Sequence, residues 1–217
     1  MPALDLEQES RSLSRYDVVG MHADGKRRFV THVGLHDADD QSVKAGDDIS
    51  AVHMRPPLEL GAAITAHVAG HVPLTNDEIK EISAWIAEIA DEYQTAGVEK
   101  AHQYVIDPPW QDHADLNTGV RRYRRYSCAG FVLDSHLQVD IALLKIDTGA
   151  LPEVDRHTIA SAYPEVGEHQ RRLCHFGLEG NGPWKIVLAG YVLHALDRPT
   201  EQIRQEPYRV RAGDELF

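Results

Sequence analysis

The residues best suited to chemistry lie in Tyr126-Ser127-Cys128-Ala129-Gly130-Phe131-Val132, where a basic, aromatic run meets an apolar segment. Ser127 is a helix-capping residue type, and apolar positions continue through Leu133, Leu137, Val139, Ile141, Leu143 and Leu144, so the pattern predicts a buried helix with Cys128 in its first turn. Unpaired N–H groups and the dipole at a helix start favour thiolate over thiol. Arg121, Arg122, Arg124 and Arg125, interleaved with Tyr123 and Tyr126, push the same way. Such a thiolate can attack a carbonyl carbon while the helix-start N–H groups hold the oxyanion. Gly130 leaves room for a close approach by backbone or substrate. The bland alternative is a core cysteine, because free cysteine is among the most buried residue types.

A thiol nucleophile needs a base, usually histidine, and this chain has 13 of them. Two stand out by context. His175 opens His175-Phe176-Gly177-Leu178 ahead of Gly180-Asn181-Gly182, and His32 lies in Thr31-His32-Val33-Gly34-Leu35. The run Ser127 to Val132 resembles the nucleophile motif of NlpC-type, papain-like cysteine peptidases, with Leu151-Pro152 similar to a dipeptide that follows the nucleophile helix there. That resemblance implies a Cys-His dyad acting as hydrolase or acyltransferase on an amide, peptide or ester bond. In the family's usual order the cysteine comes first, and the His175 stretch is similar to its His-Val-Gly-Ile strand. Lys185, Ile186 and Val187 then stand where a polar third residue is expected. Circularly permuted relatives, which resemble lecithin:retinol acyltransferase, run histidine first; that order implies His32 as base, oriented by His53. The two histidines are alternatives.

Arg124 and Tyr126 are candidate contacts for an acidic substrate, and Trp110, in a long connection from Ala96 to Val120, is a candidate lining of the cleft. A balance of 22 basic to 34 acidic residues, net −12, argues against nucleic acid as a partner. No run is long enough for a membrane span, the acidic start Met1 to Glu7 is unlike a signal peptide, and Cys128 and Cys174 are the only cysteines, which together point to the cytoplasm. His32 with His36, and His67 with His71, have a metal-like spacing of four. Gly70 and Pro73 end any helix there and no Glu follows His67, so neither a metal nor another cofactor is expected. The competing functional reading is a catalytically inactive acidic binding protein that keeps Cys128 in its core.

Positioning these residues calls for an α+β fold over residues 1–217: a papain-like core with the cysteine helix packed on a small antiparallel sheet, and an N-terminal β-meander over 15–57, which is also the one place to divide the chain. The meander comprises strands at Arg15 to Met21, Phe29 to Leu35 and Ile49 to Met54, with an Asp-Gly turn at 22–25. Leu58 to Gly70 has helical composition. Thr75 with Glu78 makes a capping box for a helix whose stripe is Ile79, Ile82, Ile86, Ile89 and Tyr93. Val154 to Tyr163 is expected as a short helix, and Arg171 to Leu178 with Trp184 to Leu193 as a strand pair around the Gly-Asn-Gly-Pro turn.

Overall fold

The computed structural model describes residues 4–6, 10–22, 29–55, 57–99, 102–115, 117–147, 149–163 and 170–217. The fold is α+β. Its strands are β1 (Leu4–Asp5), β2 (Arg11–Leu13), β3 (Val18–His22), β4 (Val30–His36), β5 (Gln41–Val43), β6 (Asp48–Met54), β7 (Leu58–Thr65), β8 (Val68–Gly70), β9 (Trp110–Ala114) and β10 (Arg121–Tyr126). The helices are α1 (Asn76–Ala96), α2 (Cys128–Leu137), α3 (Arg156–Ala162), α4 (Ala189–Leu196) and α5 (Thr200–Gln205). A six-stranded sheet runs in the order β1-β8-β3-β4-β6-β7, and β2-β5 and β9-β10 form two small antiparallel pairs.

The hairpin and third strand of the meander form where the alternating pattern put them, with Val18 opposite Leu35 and Leu35 opposite Val52. The Asp-Gly turn falls in 23–28, outside the described residues. The sheet continues past residue 57, since β7 and β8 belong to it. Leu58 to Gly70 is therefore strand and not the expected helix. Its Ala, Leu and Glu content is compatible with a helix, but it has no 3.6-residue apolar stripe, and the open edge of β6 supplies backbone partners from Asp48↔Thr65 to Met54↔Leu58.

Two apolar clusters lie against the sheet. One is made from strands and their connections, among them Leu13, Val19, Val43, Ile49, Ile64 and Ala66. The other joins the helices to Val18, Val33, Leu35, Val52 and Met54. Helix α1 forms as its capping box requires: Thr75 accepts from the Glu78 N–H, Glu78 reaches back to the Thr75 N–H, and Gly97 closes the helix in the left-handed conformation. It buries Ile82, Trp85, Ile86, Ile89 and Tyr93.

The strand pair expected at 171–178 and 184–193 is absent. Gln170–Phe176 is a 3-10 helix, and the Phe176 carbonyl accepts from the N–H groups of Ile106 and Asp107. Trp184 keeps only a bridge to Val154, and Ala189–Leu196, apolar almost all round, is a helix buried against β3, β4 and β8. Ala96 to Val120 is not one long loop, because Trp110–Ala114 pairs with Arg121–Tyr126 as a hairpin.

Candidate functional site

Helix α2 begins where its sequence says. The Ser127 Oγ accepts from the Gly130 N–H at 2.8 Å, and the Ser127 N–H donates to the Pro109 carbonyl at 2.9 Å. That same carbonyl oxygen lies 1.8 Å from where a Cβ on Gly130 would sit. The space beside Gly130 thus serves the 107–110 backbone and not a substrate.

A buried polar knot fixes the helix to the β9-β10 hairpin. Asp134, 4% exposed, accepts from the Arg124 Nη1 at 2.7 Å and from the Tyr126 hydroxyl at 2.8 Å, while Arg124 also pairs with Asp112 at 2.5 Å. Burial alone would lower the pKa of Arg124, and the hydrogen bonds it donates to Asp112 and Asp134 outweigh it and raise it. Burial, then the charge of Asp134, pushes the Tyr126 phenol far up. These bonds correct two expectations: Arg124 is spent on carboxylates of the chain, and Tyr126, fully buried, cannot line a substrate groove. Trp110 is half-buried against the helix-side cluster as the first residue of β9.

The second chemical feature lies under α2. His32 on β4 and His53 on β6 meet with Nε2 and Nδ1 2.9 Å apart, and the His53 Nε2 lies 3.3 Å from the Glu59 Oε2. Register explains both contacts. His53 and Glu59 are direct cross-strand partners, and the β4-β6 ladder through His36↔Ala51 and Leu35↔Val52 leads on to Gly34 and His53, with His32 two residues further along β4. Gly34 makes the approach possible, because a Cβ there would stand 2.8 Å from the His53 Cβ. Gly34→Ala should therefore cost about 1–3 kcal/mol in a urea melt by overpacking, and shift the His53 ring resonances; an unaltered midpoint would show that His53 is not held there. Burial, followed by His53 and the Arg55 cation, pushes His32 down to about 3. Burial also lowers His53, opposed by Glu59 and helped by Arg55. Both rings are neutral at pH 7.

Cys128 has no exposed surface and belongs to the helix-side cluster, with α2 packed on β4 and β6. His32 and His53 alternate with Val33, Leu35, Val52 and Met54, which face that cluster, so the rings leave the sheet from the opposite face. His175 is exposed on the 3-10 helix, where its carbonyl accepts from Arg125; the strand that would have made it a base does not exist. The structure thus brings together His32, His53 and Glu59, sets Cys128 against the same two strands, and leaves His175 outside. No disulfide joins Cys128 to the exposed Cys174.

Two contributors escaped the sequence reading. Glu59 was hidden in a stretch of helical composition; Asp134 was visible as the lone acid in a buried apolar helix. Among the described residues no group of three or more His, Cys, Asp or Glu could hold a metal ion, and no helix is long and apolar enough to cross a membrane. No family model matches the chain, and neither the curated proteins nor the solved structures contain a match.

Proposed function

We propose that the chain is a cysteine-dependent hydrolase or acyltransferase acting on an amide, peptide or ester bond, in the permuted papain-like order, with Cys128 as nucleophile and His32, not His175, as base. The observation that carries the reading is that Cys128 opens a capped helix packed on β4 and β6, the two strands that carry the joined His32 and His53 rings on their far face. Once the ring and the sulfur meet, neutral His32 accepts the thiol proton, the sulfur attacks the carbonyl carbon, and N–H groups at the α2 start hold the oxyanion. The proton then passes to the leaving group, and water or a second acceptor takes the acyl group. With His32 on the far face and so weak a base, the closed structure holds no thiolate–imidazolium pair, and on this reading Cys128 becomes reactive only when β4 rearranges to bring the ring to the α2 side.

The experiment is alkylation by iodoacetamide in a Cys174→Ser background, read by mass spectrometry. His32→Ala should slow Cys128 labelling about a hundredfold, the lower range for loss of a general base, and His175→Ala should leave it unchanged. The complete burial of Cys128 favours a second reading, a catalytically inactive acidic binding protein. On that reading Cys128 labels only in denaturant, whichever histidine is replaced.

A further inference from the structure

The His53 Nε2 is buried and faces a carboxylate oxygen at 3.3 Å without hydrogen-bond alignment to any group among the described residues, while its Nδ1 faces the His32 Nε2. Two neutral imidazoles joined nitrogen to nitrogen share a single proton along that contact, so one ring must donate and the other accept. Glu59 breaks the tie. A carboxylate only accepts, and proton on the His53 Nε2 gains its attraction, whereas a lone pair there meets a like charge in a buried setting. We infer that Glu59 is a positioning residue that sets the proton order of the pair: His53 carries its proton on Nε2, its Nδ1 accepts from the His32 Nε2–H, and the His32 Nδ1 is left as the only basic nitrogen.

The arrangement is written into the strand register. His53 and Glu59 are cross-strand partners, and the Glu59 side chain, 39% exposed, pays little desolvation while presenting one oxygen to the buried ring. Arg55 is the other charged group acting on both rings; as a cation it favours the neutral forms but does not choose between tautomers. In this order the pair is a one-way relay: the proton His32 gains on Nδ1 leaves charge that spreads through His53 towards Glu59. This catalytic consequence rests on the function proposed above; the proton positions do not.

The test is long-range ¹H–¹⁵N correlation spectroscopy of the full chain labelled at histidine, at pH 7.5. The expected result is His53 and His32 both protonated on Nε2 and bare on Nδ1. Glu59→Leu should redistribute the His53 proton between its two nitrogens, and Glu59→Gln, which keeps an acceptor oxygen, should restore the native order. A His53 protonated on Nδ1 in the unsubstituted protein overturns the inference, as does a tautomer that Glu59→Leu leaves unchanged. If Glu59→Leu does not fold, the unsubstituted protein and Glu59→Gln decide alone: the inference stands only if both carry the proton on Nε2. Native proton order with an unreactive Cys128 would defeat the proposed hydrolase and leave this inference standing.

Discussion

Taking the protein from pH 8 to pH 5 should remove about 4 kcal/mol of folding stability, most of it through His32 and His136. Burial pushes His136 down to about 4, against the opposing pull of its hydrogen bond to the Val132 carbonyl and of Asp17. Its Nδ1–H is committed to that carbonyl at 2.8 Å, and its Nε2 is buried with no hydrogen-bond partner among the described residues, so a second proton is disfavoured in the folded state. Burial, His53 and Arg55 hold His32 down to about 3. The sign follows from linkage. Both folded values lie below the ordinary 6.5, so the unfolded chain binds more protons between those limits, and stability falls as pH drops through about 6.5. At pH 5 each histidine costs about 2 kcal/mol, and His53, also lowered, acts in the same direction. Glu78, held down to about 2 by Arg204, contributes only below its ordinary 4.5 and leaves this window untouched. Urea midpoints at pH 8, 7, 6 and 5 read the loss directly. His136→Asn keeps a donor for the Val132 carbonyl and should halve the slope; equal midpoints at pH 8 and pH 5 would mean that neither ring is held neutral.

Asp134→Ala should cost about 3 kcal/mol, the lower end of the range for breaking a buried ion pair, because it strips the acceptor from the buried Tyr126 hydroxyl and from the Arg124 Nη1 while Asp112 still holds the other side of the guanidinium. Asp112 supplies the contrast. Its side chain is 52% exposed, so Asp112→Ala loses a solvent-screened pair and should cost about 1 kcal/mol or less. Asp134→Asn keeps an acceptor for Tyr126 and should fall between them. The measurement is the urea midpoint of each variant at pH 7.5, where equal losses for Asp112→Ala and Asp134→Ala would refute the idea of a buried knot. Because this knot fastens α2 to β9-β10, its loss should also raise the exposure of Cys128.

The run from Arg121 to Tyr126 shows how a charge pattern misleads on function. Four arginines beside tyrosines look like a binding surface, yet Arg121 pairs with Glu92, Arg122 with Asp115, Arg124 with Asp112 and Asp134, and Arg125 with the carbonyls of Tyr104 and His175. The acids come from α1, β9 and its turn, and α2, far enough along the chain that no local spacing joins them to the run. The two candidate bases show the same limit. Thr31-His32-Val33-Gly34-Leu35 and His175-Phe176-Gly177-Leu178 are nearly equivalent as strings. The first has strands on both sides, and the second has none and coils into a 3-10 helix.

By itself the sequence determined whatever is closed within one turn of chain. The Thr75–Glu78 capping box, the Ser127 cap that starts α2, the stripe of α1 and the alternation of β3, β4 and β6 all depend on neighbours three or four residues away, or on a period of two. Tertiary structure alone decided the rest. Leu58 to Gly70 is strand because β6 has an open edge beside it. His53 gains Glu59 through register, and Cys128 is sealed because α2 lies flat on β4 and β6. Pairing across the sheet and burial in the core are sums over distant segments, and no residue's own type carries them.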